Sequence, residues 1–78
     1  MREKTLKLIV TFHTTVGAMA MEKWCKEEGV PGRLIPVPRA ISAGCGMCWM
    51  ARPEDRIQVE RVVASHGLDV DGTYELML

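Results

Sequence analysis

The sequence has no excess of charge of either sign. Ten Lys and Arg residues balance ten Asp and Glu residues, so the formal net charge is zero and the isoelectric point lies near 6.7. A protein that binds nucleic acid or an anionic membrane surface draws its affinity from excess positive charge. We therefore expect neither nucleic acid nor a membrane among the partners.

Long hydrophobic runs are also missing. The apolar stretch Leu6–Phe12 is too short for the core of a signal peptide and far too short to cross a bilayer. Hydrophobic residues make up 47% of the chain and charged residues 26%, which is ordinary for a globular protein and argues against disorder. We predict a cytoplasmic protein whose 78 residues, 1–78, form one domain.

Cysteine is scarce. The chain has three cysteines, Cys25, Cys45 and Cys48. We expect no export of the protein, and the number of cysteines is odd. Both points argue against a structural disulfide framework. Cys45 and Cys48 are close in sequence. They are therefore candidates for redox, metal-binding or nucleophilic chemistry.

Hydrophobic periodicity and turn residues predict six elements. They are a strand over 6–12, a helix over 16–28 ended by Gly29, a strand over 33–37, a strand over 47–51, a helix opened by Pro53 and ended by Gly67, and a strand over 73–78 after a turn at Asp71 and Gly72. Thr14 and Thr15 offer N-cap hydroxyls to the first helix.

The resulting β-α-β-β-α-β order is that of the ferredoxin-like α+β fold, a four-stranded antiparallel sheet with two helices on one face. In this topology the first and third strands are central, and the second and fourth are edges. Proline cannot donate to a sheet ladder, so the strand that carries Pro36 must be an edge strand. The position of Pro36 in the second strand agrees with the topology.

The helices have predictable core faces. Ala18, Met21 and Cys25 form the apolar stripe of the first helix, which makes Cys25 a structural and unreactive residue. The predicted core-facing set of the second helix is Val59, Val62, Val63 and His66, with His66 interacting with the helix dipole. His13, directly after the first strand, either pairs with a thiolate or caps the strand, and we favour the cap.

The unusual segment of the chain surrounds Cys45. Gly44 and Gly46 flank this cysteine without side chains, which leaves its sulfur accessible. Residues 29–53 contain three arginines, Arg33, Arg39 and Arg52, and no Asp or Glu. A locally positive field lowers the pKa of a thiol and increases its thiolate fraction. These features make Cys45 the candidate nucleophile.

Other readings of the two cysteines stay open. Cys45 could be a buried residue in a tight connection, and Cys48 is either a second active thiol or a residue that points into the other face of the sheet. Two thiols supply only half of a tetrahedral zinc site, so a metal would need a second chain. A thioredoxin-type pair opens a helix, whereas Cys48 leads into a strand. We expect no cofactor.

The most distinctive run of the chain is RLIPVPR at positions 33–39, followed by ISAGCG at positions 41–46. With FHTT at 12–15 and PED at 53–55, this run resembles the small selenium/sulfur carrier protein-like family over nearly the whole chain. The resemblance implies a ferredoxin-like carrier, rather than an enzyme, with Cys45 as the carrier thiol. Cys48 and Trp49 depart from the family pattern, in which aliphatic residues follow the Cys-Gly pair.

The resemblance also implies a chemistry. Cys45 would carry sulfur or selenium as a persulfide or selenosulfide, received from a pyridoxal-phosphate-dependent desulfurase or selenocysteine lyase and passed to a sulfur- or selenium-accepting enzyme. The residues expected to bind the anion or shape the loop are Arg39, Ser42, Gly44, Gly46 and Arg52. Cys48 could attack the sulfane sulfur and release it. The alternative is a metal-binding or regulatory redox module that uses Cys45 and Cys48, possibly across a homodimer.

Overall fold

The computed structural model describes residues 3–41 and 46–78. Its elements in chain order are β1 (Leu6–Phe12), α1 (Thr15–Glu28), β2 (Arg33–Pro36), β3 (Met47–Ala51), a short 3-10 helix (Pro53–Asp55), α2 (Arg56–His66) and β4 (Val70–Met77). No helix within the described ranges is both long enough and apolar enough to cross a bilayer.

The four strands form one antiparallel sheet in the order β2-β3-β1-β4. The ferredoxin-like α+β fold is therefore confirmed, with β1 and β3 at the centre. Pro36 lies on the edge strand, where it pairs with Met47. That position costs the sheet no hydrogen bond, because the other side of β2 has no neighbouring strand to receive one.

The main core lies between the sheet and the two helices. Alternate sheet residues face the helices, and α1 and α2 supply the apolar stripes that cover them. Its buried members are Leu8, Val10, Phe12, Trp49 and Ala51 from the sheet, Ala18, Met21 and Cys25 from α1, and Val59 and Val62 from α2. The predicted stripe of α1 is confirmed in full.

The opposite face of the sheet is apolar as well. Ile9 and Cys48 are buried there together with Ile41, which belongs to the connection between β2 and β3. Five partly buried hydrophobic residues surround this small cluster: Ile35, Val37, Met50, Leu76 and Leu78. The β2–β3 connection thus covers part of a face that neither helix reaches.

Both helices begin and end as their sequences suggest, with small differences. The Thr14 side chain accepts a hydrogen bond from the Gly17 backbone N–H at 3.1 Å, so α1 begins at Thr15, one residue before the predicted start. Pro53 opens a 3-10 turn, and the α-helix proper begins three residues later at Arg56. Val59 and Val62 are buried as predicted.

His66 connects the two helices. Its ring stacks on Trp24 of α1 with the centroids 3.9 Å apart, and its Nε2 contacts the carboxylate of Glu28. This residue therefore does more than the predicted interaction with the dipole of its own helix. It joins the C-terminal ends of α1 and α2.

The predicted turn at Asp71 and Gly72 is wrong. β4 begins at Val70 and runs through both residues, and Gly72 pairs with Thr11 of β1. The Thr11 hydroxyl donates to the Gly72 carbonyl at 3.3 Å. Because Gly72 pairs with β1 and Asp71 is accommodated at a shift of the strand register, the chain reverses earlier, at Gly67.

The loop before β2 provides a test of how the chain packs against Trp49. Gly32 has a φ of 140°, and a Cβ on it would lie 2.5 Å from Cε2 of the buried Trp49. We expect Gly32→Ala to lower the free energy of unfolding by about 3 kcal/mol through backbone strain and overpacking. Urea unfolding followed by circular dichroism measures the change.

Gly29→Ala is the matched control for this substitution. Gly29 also has a left-handed φ, 70°, but a Cβ there would meet no atom within 4 Å. Only the strain of the left-handed backbone applies, so Gly29→Ala should lower the free energy of unfolding by about 1 kcal/mol. Equal costs for the two variants would contradict the close contact between Gly32 and Trp49.

Candidate functional site

The connection between β2 and β3 starts and ends at a backbone hydrogen bond. The Val37 N–H donates to the Gly46 carbonyl at 3.0 Å, one step beyond the last strand pair. Gly46 takes a left-handed φ of 77° as the chain enters β3. Of the residues that the sequence predicts for the site, Ser42, Gly44 and Cys45 lie outside the described residues, as does Ala43.

Residues 38–41 turn back over the sheet. The Ile41 N–H donates to the Pro38 carbonyl at 3.0 Å, and the Ile41 side chain is buried against Ile9 and Cys48. This packing anchors the chain immediately before position 42. The first half of the connection therefore lies on the face of the sheet that has no helices.

Cys48 is fully buried on the same face. It pairs with Thr11 of β1 and with Ile35 of β2, and its Sγ lies 4.0 Å from the Pro36 carbonyl oxygen. Of the two alternatives for its orientation, the structure has the one in which it points away from the helices. Its predicted role as a second active thiol stays a prediction.

Cys25 is fully buried in the other core, below α1. Burial raises the pKa of its thiol to about 11, with a smaller contribution from the negative charge of Glu28. The thiol is therefore protonated throughout the neutral range. This environment is that of a packing residue.

The three arginines that the sequence groups together lie at two different ends of the sheet. Arg39 is exposed in the turn that follows β2, at the same end as Gly46. Arg52 follows β3 at the other end, six residues after Gly46, which is about 20 Å along an extended chain. Arg33 pairs with Met50 near that far end.

Arg52 also has carboxylate partners of its own. Its Nε donates to Asp55 at 2.9 Å, and a second nitrogen lies 3.9 Å from Glu54. Asp55 raises the pKa of the Arg52 guanidinium by this hydrogen bond and by its charge. The structure therefore does not bring Arg52 together with Gly46, and the expected role of Arg52 in binding the anion loses its support.

Sequence reasoning missed the acidic residues at the Gly46 end. β4 begins beside the end of β1, which brings Asp69 and Asp71 to His13. The His13 Nδ1 lies 3.4 Å from Asp71, and its Nε2 lies 3.7 Å from Asp69. The segment around Cys45 is free of acids in sequence, but this end of the sheet is not free of them in space.

The same end of the sheet carries the N-terminus of α1. The helix begins three residues after β1 ends, and its first turn contains no acidic residue. The positive end of the helix dipole, with Thr14 as its cap, therefore faces the end of the sheet where Gly46 lies. Arg39 and this helix terminus are the two positive features that the described residues place there.

One of the comparisons with known proteins identifies a family. Residues 7–75 match the model of the family described as "Putative Se/S carrier protein-like". A relative from Escherichia coli (strain K12), "Uncharacterized protein YtiA", is 33% identical over 48 residues, which cover 60% of this chain and 56% of that protein. No solved structure matches.

The burial of two thiols leads to a labelling prediction. With a pKa of about 11, Cys25 is ionised to only about one part in ten thousand at pH 7. We expect iodoacetamide to modify Cys25 and Cys48 at least about 100-fold more slowly than Cys45 in the folded protein, because both must wait for local opening. Mass spectrometry of digested, timed samples gives the three rates separately.

The same labelling in urea serves as the control, because unfolding removes the protection and should bring the three rates together. Equal rates for Cys25 and Cys45 in the folded protein would contradict the burial of Cys25 below α1.

Proposed function

Because this chain belongs to the Se/S carrier protein-like family, we propose that it carries a sulfur or selenium atom as a persulfide or selenosulfide on Cys45. The observation that carries the proposal is the burial of the other two thiols. Cys25 and Cys48 have no exposed surface, so neither can meet a partner's sulfur atom without rearrangement of the core around it. A carrier needs a thiol that exchanges with two different partners.

The loading step needs no oxidant or reductant. The Cys45 thiolate attacks the terminal sulfur of a persulfide on the donor, a new S–S bond forms, and the donor leaves as a thiolate. The donor is a pyridoxal-phosphate-dependent desulfurase or, for selenium, a selenocysteine lyase. Unloading repeats the exchange, with a nucleophile of the sulfur- or selenium-accepting enzyme attacking the terminal atom.

Positive and negative features lie together at this end of the sheet, and the positive ones would favour an anionic sulfur. Arg39 and the N-terminus of α1 contribute positive potential, whereas Asp69 and Asp71 contribute negative potential. Ser42 would donate a hydrogen bond to the anion, and Gly44 and Gly46 would give partners close access. Arg52 has no role in the proposed chemistry, because its guanidinium forms ion pairs with the carboxylates of Asp55 and Glu54.

The burial of Cys48 does not favour the alternative function. A metal shared by two chains needs thiolate ligands that reach a common surface, and Cys48 is covered on the helix-free face. A regulatory redox role for Cys45 with Cys48 would need the same uncovering. We therefore treat Cys48 as a thiol that the carrier function does not use during loading.

Substitution of each cysteine tests the proposal. With a cysteine desulfurase and cysteine as the sulfur source, Cys45→Ser should abolish loading, because serine cannot accept sulfane sulfur by thiolate attack. Cys25→Ser and Cys48→Ser should both still gain the mass of one sulfur atom. Intact-protein mass spectrometry without reductant measures the gain.

Two results would contradict the assignment. Loading that survives in Cys45→Ser and disappears in Cys48→Ser would move the carrier role to Cys48. Absence of loading in the wild type with both the desulfurase and a selenocysteine lyase would refute the carrier function itself. Circular dichroism of each variant controls for folding.

The separation of the arginines leads to a second prediction. Arg39→Gln should slow the alkylation of Cys45 at neutral pH by about two- to fourfold, the size expected for loss of one exposed charge. Arg52→Gln should leave the rate unchanged, because Arg52 lies at the far end of β3. The alkylation rate of Cys45 is measured in each variant as a function of pH at low ionic strength. An equal effect of the two substitutions would contradict the separation of Arg39 from Arg52.

A further inference from the structure

A basic cleft of about 270 Å³ lies at the end of the sheet opposite to Gly46. Three of its lining residues are cationic: Lys7 of β1, Arg33 of β2, and Arg52, which follows β3. No acidic residue is among the described residues that line this basic cleft, although acidic and basic residues are equal in number in the whole chain. Cations gathered around one small cleft repel one another, so the basic cleft suits an anion.

Strand pairing places Lys7 and Arg33 around the side chain of Met50. Met50 of β3 pairs with Arg33 of β2 on one side and with Ile9 of β1 on the other. Lys7 precedes Ile9 by two residues and therefore shares its face of the sheet. From the spacing of strands and of residues along a strand, the Cα atoms of Lys7 and Arg33 lie about 12 Å apart. Their long side chains can both reach one anion between them.

The three cations of the basic cleft differ in their partners. Arg52 is held by Asp55, whose carboxylate lies 2.9 Å from its Nε. The Lys7 Nζ donates to an uncharged group, the Thr5 hydroxyl, at 2.6 Å. Neither Lys7 nor Arg33 forms an ion pair with any residue that the structure describes. These two side chains therefore supply two positive charges for a ligand.

The rest of the basic cleft is formed by residues with apolar side chains or none: Pro31, Gly32, Met50 and Ala51. Such a lining accommodates a small apolar group beside the anion. Two positive charges that converge on one point match a group that carries two negative charges itself, rather than two separate carboxylates. A phosphate monoester is such a group at neutral pH, because its second pKa is about 6.

We propose that the basic cleft binds a small organic phosphate monoester. Lys7 and Arg33 contact the phosphate, and the organic group lies against Met50. The neighbouring hollow shares Lys7 and Arg33 but is also lined by Glu3, whose carboxylate repels a phosphate. This site does not depend on the carrier function, because the basic cleft and Gly46 lie at opposite ends of the sheet.

A titration of the wild type with phenyl phosphate tests the site. The reporters are the backbone amides of Gly32 and Ala51 and the indole N–H of Trp49, which lies so close to Gly32 that a Cβ there would clash with it. Their NMR resonances should shift saturably at low ionic strength. Phenyl phosphate should bind at least about fivefold more tightly than inorganic phosphate, which has no apolar group, and than benzoate, which has one charge.

Charge-removing variants locate the binding site. Lys7→Gln and Arg33→Gln should each weaken phenyl phosphate binding by about fivefold or more, because each removes a charged donor to the phosphate. The matched controls are Lys26→Gln and Arg61→Gln, which remove the same charges from exposed positions on α1 and α2. They should change the affinity by less than about twofold, and circular dichroism shows whether each variant is folded.

Four results would overturn the proposal. Equal weakening in the variants and their controls would mean general attraction to positive charge. Shifts that do not saturate, or that centre on residues away from the basic cleft, would remove the site. Benzoate or succinate binding as tightly as phenyl phosphate would make the ligand class wrong.

Discussion

The register between β1 and β3 is the constraint on which the rest of the structure depends. Pairing of Thr11 with Cys48, and of Val10 with Trp49, sends Trp49 into the helix-covered core and Cys48 to the opposite face. A slip of one residue would exchange the two faces and place a thiol among the helices, with a tryptophan exposed on the other side. The hydrophobic side chains of both strands oppose such a slip.

This register also sets where the β2–β3 connection emerges. β3 begins at Met47, opposite Pro36, and the next backbone hydrogen bond, between Val37 and Gly46, brings both ends of the connection together at one end of the sheet. The start of α1 and the start of β4 lie at that end because β1 ends there. The candidate site is therefore assembled by topology from four separate parts of the chain.

Charge is distributed along the sheet in a way that matters for the thiol chemistry. Lys7, Arg33 and Arg52 line one cleft at the far end, whereas Arg39, His13, Asp69 and Asp71 lie near Gly46. In the proposed function, a thiolate at the Gly46 end would be favoured by the charge of Arg39 and by the helix dipole, and opposed by the carboxylates. The His13 ring lies between both carboxylates.

The fold could be predicted because its signals are local. Alternation in 6–12, the stripe of Ala18, Met21 and Cys25, and Pro36 on an edge strand each follow from backbone geometry that neighbouring residues determine. The one wrong element, the turn at Asp71 and Gly72, failed because Gly72 pairs with Thr11 of β1 and Asp71 is accommodated at an irregularity in the register of β4. The local preference of Gly72 for a turn was overridden there by Thr11, a partner 61 residues away in sequence.

The features of the candidate site also divide into those set by adjacent residues and those set by the tertiary structure. The sequence by itself determined the family, the glycines beside Cys45 and the Cys45-x-x-Cys48 spacing, since these are properties of adjacent residues. Only the tertiary structure decided that Arg52 lies at the far end of β3, that Asp69 and Asp71 approach His13, and that Ile41 packs in one cluster with Cys48. Electrostatic fields and burial depend on distances in space, and these distances are set by strand order and register rather than by separation along the chain.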